Sequence, residues 1–102
     1  MPRPKLTRNV RCRAPYSLYK PNGVPGKQLQ KIDLGADELE AMRLADMEGM
    51  SQQQAANEMG VSRQTLGNIL ASARKKVVCA LVQGHALEME SSLPYPQDSS
   101  EE

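Results

Sequence analysis

The sequence predicts a mainly α protein, with a three-helix helix-turn-helix core between an extended basic N-terminal arm and a disordered acidic tail. Three observations predict it. Residues 35–84 carry apolar side chains at three-four spacing in three segments, each bounded by capping residues and a glycine. Residues 1–28 contain Pro2, Pro4, Pro15, Pro21, Pro25, Gly23 and Gly26, a density that breaks helices. Residues 91–102 are rich in Ser, Pro and acid, with too little apolar surface to order themselves.

The domains follow as a basic arm at 1–28, a folded domain at 29–90 and an acidic tail at 91–102. Within the arm, Pro21-Asn22-Gly23 is the clearest turn. Residues 29–34 alternate apolar and polar side chains, as do 86–90. Each fits a short strand, and the two, flanking the helices, can pair either within one chain or across a dimer. The first helix follows Leu34, with Gly35 as N-cap and Glu38 placed to reach back to its amide. It carries Leu39, Met42 and Ala45 on one face, runs to about Glu48 and stops at Gly49. The second opens on a Ser51/Gln54 capping box and ends near Met59, before Gly60. Ser62 caps the third. Its apolar face is Leu66, Ile69, Leu70, Ala73, Val77, Ala80 and Leu81, with Gly84 as stop. A helix of that length measures about 30 Å, which is long for so small a domain.

With 102 residues, neither Phe nor Trp, and aromatics at 3%, the core must be built from Leu, Met, Val, Ile and Ala. Such a core is small, so a homodimer is a natural supplement. No apolar run reaches the length of a membrane helix, and no signal-peptide run follows the basic start. Cys12 and Cys79 lack metal-ligand spacing, and Cys79 reads as a buried thiol. Cys12 sits among arginines, which lower a thiol pKa if it is exposed; a metal site there would have to be shared between subunits. No cofactor or metal is expected, and the setting is cytoplasmic.

The net charge of +1 hides a segregation: residues 1–31 carry +8, 32–60 carry −6, 61–84 carry +4 and 85–102 carry −5. Alternating blocks of this size suit a polyanion-facing surface on an otherwise neutral chain, although a solvated charge pattern looks the same.

Function is concentrated in QQQAANEMGVSRQTLGNIL, Gln52 to Leu70. Ala56 must be small where two helices cross, and Gly60 supplies a positive φ at the turn. Met59, Val61, Leu66 and Ile69 form the small core that fixes the crossing. The opposite face begins with Ser62, Arg63, Gln64, Gly67 and Asn68, at the helix end that enters the major groove in this motif. Arg63 can bond guanine and Gln64 or Asn68 adenine, each through two hydrogen bonds. Gly67 permits close approach to a duplex. Thr65, Arg74, Lys75 and Lys76, with Arg11 and Arg13 of the arm, are the phosphate-binding candidates.

These residues also carry a resemblance. The stretch DELEAMRLADMEGMSQQQAANEMGVSRQTLGNILASARKKVVCALVQGHAL strongly resembles an uncharacterised family of bacterial and archaeal proteins predicted to bind DNA, known as domain of unknown function 134 or uncharacterised protein family 0251. MPRP and YKPNGVPGKQL resemble it too, so the likeness covers about nine-tenths of the chain. That family in turn resembles the DNA-reading region four of bacterial sigma factors. The resemblance implies a three- or four-helix fold with Ser62 to Arg74 as recognition helix. Leu66 stands where an aromatic is often found, and Asn68 where a basic residue is common.

Catalysis has no constellation to support it. Glu38 with Glu40, and Asp46 with Glu48, are two residues apart and do not share a helix face, and His85 is the lone histidine. The alternative from another class is a non-enzymatic interaction module. In it Asp37, Glu38, Glu40, Asp46 and Glu48 of the first helix dock on RNA polymerase or another regulator. Those acids read equally as a solvated face that favours the helix dipole. RNA binding is disfavoured by the scarcity of aromatics for stacking.

Overall fold

Three helices form where the three-four spacing places them, and the flanking strands pair. The computed structural model describes residues 9–11 and 16–89; the expectations for Cys12, Arg13, residues 1–8 of the arm and the tail lie outside the described residues. In chain order the elements are β1 (Leu18–Tyr19), a 3-10 turn at Gly26–Gln28, β2 (Lys31–Leu34) and α1 (Ala36–Met42). After these come a π turn at Arg43–Met47, α2 (Gln52–Met59), α3 (Arg63–Gln83) and β3 (Ala86–Met89). The fold is mainly helical with one small sheet of order β1-β3-β2.

The caps are those the residues dictate. The Gly35 N–H donates to Glu38 Oε1 at 2.8 Å. Ser51 and Gln54 exchange both bonds of a capping box, at 3.0 and 3.1 Å. Ser62 Oγ accepts from the Thr65 N–H at 3.0 Å. Gly60 (φ 71°) and Gly84 (φ 72°) close α2 and α3 in the left-handed region, which costs a glycine nothing.

One cluster, Ala41, Leu44, Ala55, Ala56, Met59, Leu66, Ile69 and Leu70, fixes α1, α2 and the first half of α3. A second, Leu34, Ala73 and Met89, joins the sheet to α3. The face of α1 differs from the one expected. Ala41 and Leu44 are buried, whereas Leu39, Met42 and Ala45 are half-buried. The reason is that α1 lies between the clusters: Leu39 and Met42 pack on the second, and Ala41 and Leu44 enter the first. Past Met42 the helix widens, with the Glu48 N–H reaching the Arg43 carbonyl at 2.9 Å.

Two acids of α1 are not solvated. Glu38 accepts from Lys76 Nζ at 2.8 Å and from Ser72 Oγ at 2.6 Å, besides the Gly35 amide. Burial pushes its pKa up, but the bonds from Lys76, Ser72 and Gly35, with the Lys76 charge, outweigh that and hold it below its ordinary 4.5. A carboxyl depressed in this way stabilises the fold above its unfolded pKa, and that stability is lost as pH falls through the folded value. Acid unfolding should therefore begin below about pH 4.5, and Glu38→Gln should flatten that limb of a stability-versus-pH curve. An identical acid limb in the variant would assign the transition to other groups.

β2 and β3 are parallel, with Asp33 beside Glu88 and Leu34 beside Met89. β1 runs antiparallel on the other edge of β3, with Leu18 beside Glu88. Residues 16–28, read as part of an extended arm, thus contribute a strand and a 3-10 turn to the domain. The last turns of α3 also differ from expectation. Ala80 is buried and Val77 half-buried, but Leu81, expected on the apolar face, is 76% exposed, beside Val78 and Val82 at 55% and 77%. Neither α1 nor α2 covers this end, and the short β3 follows directly. Cys79 is half-buried rather than buried, its thiol 3.5 Å from Gln83 Oε1. No helix among the described residues is long and apolar enough to cross a membrane.

Candidate nucleic-acid interface

Because α2 and the inner face of α3 share one cluster, the outer face of α3 is left to solvent. Gln64, Asn68, Ala71 and Lys75 recur at four-three-four spacing, so they form one stripe, and all are exposed. The stripe spans about 16 Å at 1.5 Å per residue. Arg63 is exposed beside its start, and Gly67 lies alongside, half-buried. Beyond Lys75 the solvent side turns apolar, with Val78, Leu81 and Val82.

The expected motif core is assembled: Ala56, Met59, Leu66 and Ile69 are buried and Val61 packs against them. The Val61 N–H donates to the Ala56 carbonyl at 3.0 Å, which draws the turn onto α2. Ser62 and Thr65 are occupied in the cap, with Ser62 Oγ donating to Thr65 Oγ1 at 2.9 Å.

The cations of α3 divide in a way the sequence does not show. Arg74 makes a two-bond ion pair with Asp46, at 2.6 and 3.2 Å, across the π turn. The paired hydrogen bonds hold the Asp46 carboxyl below its ordinary value and the Arg74 guanidinium above it. Lys76, expected on phosphate, instead binds Glu38 and the Asp33 carbonyl, each at 2.8 Å. It stands about a hundred degrees around the helix from Lys75. There it borders a cleft of about 470 Å³ that Asp33, Glu88 and Met89 also line. Among the described residues, no ion pair engages Arg63 or Lys75. Arg11, the arm's described candidate, is exposed, and its backbone N–H donates to Glu40 Oε2 at 3.2 Å.

Among the described residues nothing in the fold requires glycine at position 67. A Cβ built there meets only Gln52 Oε1, at 3.5 Å, an ordinary contact. Its φ is not in the left-handed region. Glycine nevertheless costs a helix interior about 1 kcal/mol relative to alanine.

These features define a small, mainly helical protein that presents an exposed polar helix face with two cations, Arg63 and Lys75, in no ion pair among the described residues. The chain belongs to the family of proteins of unknown function DUF134, whose model matches residues 1–92. It is 59% identical over 92 residues to a UPF0251 protein of Shewanella piezotolerans, covering 90% of this chain and 92% of that one. It is 58% identical over 94 residues to a UPF0251 protein of Aeromonas salmonicida, with 92% of each covered. No solved structure matches the chain.

Proposed function

We propose that the protein binds double-stranded DNA sequence-specifically as a transcriptional regulator, with α2, the turn at Gly60 and α3 acting as a helix-turn-helix. In this reading Arg63, Gln64 and Asn68 face base edges in the major groove, and Lys75 faces phosphate. One such motif covers one half-site, so a second copy accompanies it. The exposed Val78, Leu81 and Val82 are apolar surface available to that copy. The alternative, docking through the acids of α1, has less to work with, because Glu38 and Glu40 are buried and Asp46 is paired with Arg74.

The observation that carries the proposal is Gly67. A residue that weakens its own helix, half-buried at the border of the exposed stripe with room for a Cβ, is accounted for by a partner that comes close to the backbone there. Gly67→Ala should raise the stability of the free protein by about 0.5–1 kcal/mol. Gly67→Leu should keep the fold, since leucine is nearly as good a helix former, yet lose tenfold or more of the affinity for a site selected from random duplexes. Selection that enriches no duplex sequence, or a Gly67→Leu protein that binds the selected site normally, would sink the reading.

A further inference from the structure

We infer that Gln52, the first residue of α2, belongs to the interface: its side-chain amide lies against α3 at Gly67 and donates to a DNA phosphate at the rim of the reading stripe. The inference rests on the DNA-binding reading above. Three glutamines stand in a row at the start of α2, and the fold commits two of them. Gln53 Nε2 donates to Asn57 Oδ1 at 3.0 Å. Gln54 Oε1 accepts from the Ser51 N–H at 3.0 Å, within the capping box. The exposed Gln52 side chain makes no hydrogen bond among the described residues. It does not stand clear of the protein, however. A Cβ built at Gly67 has Gln52 Oε1 at 3.5 Å and, outside α3 itself, no other described atom within 4 Å. The free amide thus borders the space that a side chain at position 67 would fill.

Placement decides what that amide can meet. Gly67 is about 60° around α3 from Gln64 and about 100° from Asn68, on the side where Gln52 lies. It therefore edges the stripe rather than lying within it. A helix about 10–12 Å across fills a major groove about 12 Å wide. When the stripe faces the bases, a flank of α3 stands against sugar and phosphate. The amide of Gln52 is on that flank, and its Nε2 carries two N–H donors without a partner. With no side chain at 67, α3 can sink until the phosphate meets the amide. Glutamine is neutral, so the contact adds affinity and orientation but releases no counterion, which separates it from Lys75.

The test compares the full chain with Gln52→Ala and Gln52→Lys on the selected duplex and on a random duplex, across a range of salt. A second series uses selected duplexes in which one phosphate at a time is replaced by uncharged methylphosphonate. Gln52→Ala should lose about tenfold on both duplexes, the low end for a hydrogen bond to a charged group. Its salt slope and melting temperature should stay where they were. Gln52→Lys should recover the affinity and steepen the slope by about 0.9, one phosphate contact. At one phosphate of each half-site, methylphosphonate and Gln52→Ala together should weaken binding no more than the stronger of the two alone. At every other phosphate the losses should add.

A Gln52→Ala protein of normal affinity, or losses that add at every phosphate, would overturn the inference and leave the DNA-binding reading standing. A loss confined to the selected duplex would make Gln52 a reader of bases and overturn the phosphate contact. Failure of the full chain to bind any duplex at low salt would remove the DNA-binding reading and the inference with it.

Discussion

Glu40→Ala is expected to destabilise the protein by about 3 kcal/mol, the lower end of what breaking a buried ion pair costs. Glu40 is 2% exposed and lies one turn into α1. Its Oε1 accepts from Arg43 Nε at 3.0 Å, and its Oε2 accepts from Arg43 Nη2 at 3.2 Å and from the Arg11 N–H at 3.2 Å. Truncation takes two bonds from the Arg43 guanidinium, which also meets Glu48 at 3.3 Å, and takes away the acceptor that seats Arg11. The Arg43 side chain is 26% exposed, so water recovers part of the loss, which sets the estimate at the low end. For a domain of this size the melting temperature should fall by roughly 12 °C or more. Glu40→Gln keeps the shape and an acceptor for Arg11 and should fall between the two. An unchanged melting temperature for Glu40→Ala would show that the carboxylate only occupies space.

Arg63→Ala and Lys75→Ala should separate reading from anchoring on α3. Arg63 is in the first turn, exposed, where the motif meets base edges. Its truncation should cost about 1–3 kcal/mol on the selected site and relax the preference at one base position. Lys75 lies just over three turns later, about 120° around the helix, and is also exposed. Lys75→Ala should weaken specific and random duplexes alike and reduce the salt slope by about one. Lys76 is a contrasting control. Bound to Glu38 and the Asp33 carbonyl, it should affect stability before affinity when truncated. Equal losses on both duplexes for Arg63→Ala would make it an anchor and place the reading face elsewhere.

What the sequence made legible was local. Ser51 with Gln54, Gly35 with Glu38, and the glycines at 60 and 84 each settle their own turn, so helix bounds could be read within a few residues. The strands at 31–34 and 86–89 were visible as alternation, though not their parallel sense. β1 has two residues within a Pro- and Gly-rich stretch, too few for a period to appear. Long-range pairing was invisible. A glutamate on a helix reads as solvated, and nothing near Glu38 announces Ser72 or Lys76, more than thirty residues away. For the same reason Arg74, Lys75 and Lys76 looked equivalent as phosphate binders, until Asp46 and Glu38 engaged two of them in ion pairs.

The pairing of β2 with β3 bears on how the chain assembles. Lys31 and Ala86 are neighbours in the sheet, yet all three helices lie between them. During synthesis α1, α2 and most of α3 can form before β3 exists, because their contacts are shorter in sequence than the pairing of β2 with β3. The helices shorten the path between the strands before these meet, which lowers the entropy lost when the loop closes. The sheet is then a latch, thrown last, on a bundle already in place. A chain still short of Ala86 would carry α3 but not the strand whose Met89 packs with Ala73 and Leu34.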